Sequence, residues 1–218
     1  PIGTGPWIIT ENSNSGTMLT RNETYWGKKP TFSKIELRVV PDELSRSNAL
    51  RSGDLDVIGG DWIAPLSPRR ARALEQTSGV KVGTAAGTAA VLLTFSPRSK
   101  IFTDAATREA VNLSIDRNPI VKIIYEGFAV PTANMIPASI PASGTVFEVP
   151  KRDVEAARAK LESAGWEASG EGWTRNGAQL TVDFMVSDES LPGSRRMAEL
   201  LQQQLMESGF AVTVSAVD

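Results

Sequence analysis

The chain has 218 residues, 41% hydrophobic and 22% charged, with 23 basic and 25 acidic side chains and a formal net charge of -2. This is ordinary globular usage, which argues against disordered and fibrous classes, and the near-neutral balance offers no broad basic field for nucleic acid. With no cysteine and no histidine, the chain can hold neither disulfides nor thiolate metal sites, and neither a Ser-His-Asp nor a Cys-His arrangement.

The length fits one large domain or two small ones. The longest apolar runs, such as AAVLLTF at Ala89–Phe95, fall far short of the roughly 20 residues that a membrane-spanning helix requires. The first residues carry no charged start followed by an apolar signal core. Pro1 already stands inside what reads as a mid-domain motif, so we expect the chain to be an internal piece of a longer protein.

In chain order, GTGPW at Gly3–Trp7 places two glycines where the backbone can turn, and Pro6 then fixes φ ahead of an apolar strand. Strands are expected at Trp7–Thr10, Thr17–Thr20 and Ile35–Val40, the last alternating apolar and polar residues with β-branched enrichment. Between them, RNETYWGKKP at Arg21–Pro30 sets Tyr25 and Trp26 beside a turn glycine, and a structural role for both rings is the simplest reading. Asp42 is an N-cap with Glu43 in the first turn, opening a helix that runs to about Ser52 and ends at Gly53. A short strand is expected at Leu55–Ile58, leading into the tight loop Gly59, Gly60, Asp61 and Trp62. A helix over Pro68–Gln76 and strands at Val80–Val82 and Val91–Phe95 follow.

After Phe95 the pattern becomes helical. Thr103 or Asp104 caps one helix, and Asn118-Pro119 opens another that ends at Gly127. Prolines at 131, 137, 141 and 150 keep the stretch from Ala129 to Pro150 irregular, a long surface crossing. Asp153 caps a helix stopped by Gly165, with Trp166 packing beyond its end. Asn176-Gly177 predicts a hairpin leading into the strand Leu180–Val186. A last helix, through Met197, Leu201 and Leu205, stops at Gly209 before a strand over Ala211–Val217. Strand and helix alternate, so the expected class is α/β with mixed sheets flanked by helices.

Few side chains suggest chemistry. Asp54 and Asp56 lack the further oxygens that a calcium loop requires, and read as a solvated turn. The loop Gly59-Gly60-Asp61 has no lysine or hydroxyl of a phosphate loop. Arg69, Arg70 and Arg72 come without stacking aromatics and read as a solvated helix face. Ser96, Ser99 and Ser114 have no histidine to activate them. Trp62 beside Asp61 is the aromatic-plus-charge pair that small-molecule sites use, with burial of Trp62 in a core as the competing reading.

Taken in order, the motifs resemble the family 5 solute-binding proteins of ABC importers for peptides, nickel and opines. GTGPW at Gly3–Trp7 is similar to the family's GTGPY or GTGPF, and Arg21–Pro30 to its RNxxYWGxKP. VVPDELSR at Val39–Arg46 with SGDLD at Ser52–Asp56 resembles its VxPDxxxR and GExD stretch. LTFSP at Leu93–Pro97 is similar to a crossover strand that reads LxFNT, Ser96 standing where asparagine is usual. Asp104–Val121 and Asp153–Trp166 resemble two further helical signatures, and Met197–Val214 the helix and strand that follow. GPW, VIGGDWIAPL and the AGW turn stand nearest the nickel and dipeptide branch.

The resemblance implies a two-lobed, periplasmic-binding-protein-like (type II) α/β fold, incomplete here. Residues 1–92 would be part of lobe I and 93–218 the larger part of lobe II, joined by a crossover strand near 90–96. It also implies a binding protein and not an enzyme, outside the cytoplasmic membrane as a periplasmic protein or lipid-anchored surface lipoprotein, monomeric and without a cofactor. Its partners would be a small peptide, nickel chelate or opine ligand and the ABC permease subunits, with no nucleic acid. Ligand contacts are expected at Gly60, Asp61 and Trp62 and at Thr94 and Phe95, and the present 218 residues alone should bind weakly or not at all. A peptide-sensing receptor of the same fold is the alternative, and a hydrolase is a more distant one.

Overall fold

A computed structural model describes residues 3–60, 65–141, 143–170, 172–188 and 190–217. The chain divides into two compact units, Pro1–Val80 and Lys81–Asp218, each taken by itself below.

In the first unit, β1 (Trp7–Ser13), β2 (Gly16–Arg21) and β3 (Lys34–Arg38) form an antiparallel sheet in that order. Asn14 and Ser15 make the two-residue connection, since Ser13 pairs with Gly16. A bulge between Ile9 and Glu11 shifts the register of the outer strand. Gly16 lies so close to β3 that an added Cβ would sit 2.3 Å from the Leu37 carbonyl oxygen, so only glycine fits there.

The two opening motifs close the sheet's end together. Asn22 donates its backbone N–H to Pro6 O at 2.8 Å and its Nδ2 to Gly5 O at 3.2 Å. Trp26 donates its Nε1–H to Thr4 O at 3.2 Å, and Arg21 reaches Pro30 O at 3.2 Å. The Trp26 ring stays 82% exposed, leaning on Tyr25 with ring centroids 5.1 Å apart.

Helix α1 (Glu43–Ser52) begins where Asp42 accepts from Ser45 N at 2.7 Å and from Ser45 Oγ at 2.6 Å. Those bonds, the hydroxyl's first, hold the Asp42 carboxyl below its ordinary pKa. Gly53, at φ +80°, ends the helix as expected. Helix α2 (Pro68–Glu75) is capped by Ser67, with Pro68 at its start, and buries Ala71 and Leu74.

The second unit contains α3 (Ala105–Leu113), α4 (Asn118–Ile123) and α5 (Val154–Ser163). A small antiparallel sheet of β4 (Glu167–Ser169), β5 (Gly172–Arg175) and β6 (Ala178–Gln179) follows. Then β7 (Thr181–Val186), α6 (Ser194–Glu207) and β8 (Ala211–Ala216) build a parallel pair joined by a helix. Asn176 and Gly177, at φ +53° and +77°, form the anticipated hairpin turn between β5 and β6.

The helices and β7 close on one apolar core, including Val111, Leu161, Leu180, Phe184, Leu205 and Phe210. Its two indoles are fully placed. Trp166 donates to Thr107 Oγ1 at 2.9 Å and Trp173 to Ser208 O at 2.8 Å. Arg175 lies over the Trp166 ring, 4.3 Å from its centroid, and pairs with Asp104 at 3.0 Å. Residues 129–141 and 143–150 are irregular, as the prolines require; Asn134 ties this crossing together, donating to Thr145 O at 2.7 Å and accepting from Phe147 N at 2.9 Å.

Three expected strands are absent: Leu55–Ile58, Val80–Val82 and Val91–Phe95 are extended or irregular. A strand exists only where a neighbouring row accepts its backbone groups, and no described residue supplies one to Val91–Phe95. The side-chain pattern was strand-like; the partner was missing.

Candidate functional site

The loop after Ile58 is built from two glycines and a braced return. Gly59 and Gly60 take φ of +92° and +122°, which residues with a Cβ rarely adopt, so the chain turns sharply where the sequence places GG. Gly60 is exposed, whereas a Cβ on Gly59 would meet Leu66 Cδ1 at 3.3 Å. The loop's two ends therefore pack against each other.

Helix α1 braces the returning end. Glu43 accepts from the backbone N–H of Ser67 at 2.5 Å and from Ser67 Oγ at 3.1 Å. Arg46, only 9% exposed, donates to Val40 O at 2.8 Å, Pro41 O at 2.7 Å and Pro65 O at 3.4 Å. Among the described residues Arg46 makes no ion pair within 4 Å; its direct partners are carbonyl oxygens, and the Asp42 carboxylate faces it electrostatically from further away. Asp61 and Trp62, two of the five expected ligand contacts, lie outside the described residues.

The remaining predicted contacts belong to the second unit. Thr94 is exposed. Phe95 is half-buried against the core, its ring 4.9 Å from that of Phe102 at 45°. Ser96, where the family pattern has asparagine, accepts from Arg98 N at 3.3 Å and so caps the turn that follows. Phe95 anchors this extended segment, and Thr94 is left to solvent together with Val91, Leu92 and Leu93.

Sequence reasoning gave Glu43 only a place in the first turn of its helix and passed over Arg46, although both stand in VVPDELSR. A buried arginine is signalled by nothing in local spacing, because its carbonyl partners lie up to 19 positions away. It also missed a cleft of about 500 Å³ in the second unit, lined by Asp116, Arg117, Lys151 and Arg152 among others. Burial lowers the pKa of Arg117, which donates to Ile115 O at 3.4 Å and Pro150 O at 3.5 Å; Arg152 is bound to Ser114 O at 2.9 Å and Glu207 at 2.6 Å. Both guanidiniums are thus committed to holding the fold. The serines considered for catalysis are structural in the same sense, with Ser114 buried and donating to Ala110 O at 2.7 Å. Among the described residues no cluster of three or more acidic side chains could hold a metal ion, and no helix is long and apolar enough to cross a membrane.

The family model of bacterial extracellular solute-binding proteins, family 5 (middle), matches residues 1–218. The chain is 29% identical over 219 residues to the nickel-binding periplasmic protein of Escherichia coli K12, covering 98% of this chain and 41% of that protein. It is 26% identical to the glutathione-binding protein GsiB of the same organism, over 100% of this chain and 40% of that one. Among solved structures, an ABC transporter substrate-binding protein from Sinorhizobium meliloti superposes with a TM-score of 0.91 at 39% identity, covering 99% of this chain and 44% of that one. The chain thus spans about two fifths of the length of the curated relatives it matches.

Proposed function

Since the chain belongs to the family 5 bacterial extracellular solute-binding proteins, we propose that the longer protein captures a small peptide or a nickel chelate between two lobes and delivers it to the permease of an ABC importer. The observation that carries this reading is the continuous agreement along the chain with a substrate-binding protein of such an importer, at a TM-score of 0.91. Glutathione and nickel in the names of two relatives support the ligand classes. Nickel would arrive in a chelate, because these 218 residues offer neither imidazole nor thiolate. An opine is a third ligand class that fits the same family.

In this reading residues 1–92 contribute to lobe I and 93–218 to lobe II, with the crossover near 90–96. Ligand capture is a hinge closure in which the ligand stabilises the closed state. The loop beginning at Gly60 brings Asp61 to a ligand amine and Trp62 to its apolar or planar part, while the backbone at Thr94, anchored through Phe95, supplies polar contacts. No bond is made or broken, and the protein acts as a monomeric binder and not an enzyme. It works outside the cytoplasmic membrane, either free in the periplasm or held by a lipid anchor.

Mass spectrometry of the material that copurifies with the full-length protein tests the ligand class; a small peptide or a nickel chelate is the expected result. Trp62→Ala should weaken that ligand about tenfold, the loss typical of an aromatic anchor. Unchanged affinity and specificity would remove Trp62 from the site.

A further inference from the structure

We propose that the loop joining β2 to β3 is a contact surface for a lipid bilayer rich in anionic headgroups. The inference stands apart from the ligand reading, because it uses only the first unit and no residue expected to touch ligand.

The loop, residues 22–33, leaves one end of the three-stranded sheet. Its base is tied: Arg21 donates its backbone N–H to Ser33 O at 2.9 Å and its Nη1 to Pro30 O at 3.2 Å, while Asn22 is bonded to Pro6 and Gly5. Asn22 Oδ1 also accepts from Thr24 N at 3.1 Å and from the Thr24 hydroxyl at 2.9 Å, which turns the chain toward Tyr25. An added Cβ on Gly27 would sit 2.8 Å from Tyr25 Cε1, so the Tyr25 ring closes over the turn and backs Trp26. A loop pinned in this way presents a fixed set of side chains.

That set is aromatic and basic together. WGKKPTFSK, residues 26–34, holds three lysines and no acid. Trp26 and Phe32 are 82% and 72% exposed, and Lys28, Lys29 and Lys34 are exposed with them. Glu23 is shared by Arg21 at 2.8 Å and Lys29 at 3.1 Å, whereas Lys28 and Lys34 make no ion pair among the described residues. Residues 21–34 thus carry four cations against one carboxylate, in a chain whose net charge is -2.

Charge complementarity alone would suit any acidic partner; the rings narrow the choice. Exposed aromatic side chains flanked by lysines settle at the headgroup level of a bilayer, where the rings enter the apolar boundary and the ammonium groups stay in water. The Trp26 indole N–H is already bonded to Thr4 O at 3.2 Å, so its ring can leave water without carrying an unpaired donor. Lys28 and Lys34 each add about fivefold in affinity for an anionic surface.

The test uses the full-length protein without an acyl anchor and two kinds of vesicle, phosphatidylcholine alone and phosphatidylcholine with about one part in three phosphatidylglycerol. Cosedimentation should occur with the anionic vesicles only and fade at about 0.5 M salt. Lys28→Gln and Lys34→Gln should each weaken it about fivefold. Phe32→Ser should weaken it while leaving the salt dependence unchanged, and brominated acyl chains should quench fluorescence that Trp26→Phe removes. Should Lys34→Gln, at the start of β3, fail to fold, Lys28→Gln and Phe32→Ser decide. Absence of binding to the anionic vesicles overturns the proposal, as does equal binding to the neutral ones or unchanged binding in both Lys28→Gln and Phe32→Ser. A Trp26 that iodide cannot reach in the vesicle-free protein overturns it too, because the loop would then be covered by the rest of the chain.

Discussion

Strands β1–β3 and the pair β7–β8 both carry β-branched and aliphatic residues, but they bury them very differently. No residue of β1, β2 or β3 is buried, and Ile8, Ile9 and Leu37 are 49%, 45% and 45% exposed. In β7, Val182 and Phe184 are buried, flanked by Leu180 and Phe210 at 0% and 2% exposure. A sheet gains its stability by covering one face. The second unit does so within its own described residues, through α3, α5 and α6. The first unit's sheet relies on its ladder hydrogen bonds and on the lacing of Gly5, Pro6 and Thr4 to Asn22 and Trp26.

The comparison breaks if the second unit's core is not what holds the chain together. The largest effect should therefore come from Leu161→Ala, which opens a cavity at a side chain with no exposure. The expected cost is about 2–5 kcal/mol. Urea unfolding of the 218-residue chain, followed by fluorescence of the core tryptophans, measures it.

Next comes Thr107→Val, a near-isosteric change that leaves the Trp166 indole N–H without its buried acceptor. Such an orphaned donor costs about 1–3 kcal/mol. Adding Trp166→Phe, which removes the donor too, should bring a smaller further loss than the same change in the wild type. Simple additivity in that double-mutant cycle would show that the 2.9 Å bond contributes nothing of its own.

Much of this architecture was legible in the sequence, for reasons that differ by region. Caps and stops were readable because Asp42, Asp104 and Asp153 each act on an amide three residues along, and Gly53 uses its own positive φ. The Asn176-Gly177 hairpin was readable because two consecutive positive φ values leave few residue choices. Strands at Leu55–Ile58 and Val91–Phe95 are absent because a short apolar run reports only that a segment could pair, and pairing depends on chain elsewhere. Strand β4, with the sequence EAS, escaped notice since three polar or small residues carry no period. Of the expected site, Gly60 and Thr94 are found exposed and Phe95 proves to be an anchor, while the brace from Glu43 and Arg46 was hidden in its long-range partners.

A smaller effect tests the unit's electrostatic edge. Burial raises the Asp104 pKa, but bonds from Thr107 and the guanidinium of Arg175 outweigh it and hold the carboxyl below its ordinary value of 3.8. A carboxylate with a depressed folded-state pKa stabilises the fold fully above the unfolded value, and that stabilisation fades as pH falls through the folded one. The wild type should thus lose stability from about pH 4 downward more steeply than Asp104→Asn, which keeps the N-cap but not the ion pair. Both partners are partly exposed, so solvent screening limits the difference to under about 1 kcal/mol. Parallel curves for the two proteins between pH 2 and pH 5 would remove Asp104 from the acid response.

The smallest effect sharpens the comparison from the other side. Ile9, on the outer strand β1, is 45% exposed and sits at the bulge, so Ile9→Ala in the 218-residue chain removes little apolar area from any described neighbour. A change within about 0.5 kcal/mol is expected, as for surface positions in general. The same substitution in the full-length protein should cost more than in the shorter chain, by the area that additional chain removes from water at about 25 cal/mol per Å². Equal costs in the two lengths would mean that the face of β1 bearing Ile9 stays open to solvent in the whole molecule, and that the contrast between the two sheets is a lasting property of the protein. Unequal costs would locate the cover over the first sheet in the rest of the chain, and the ratio of the two values would measure how much of Ile9 it closes over.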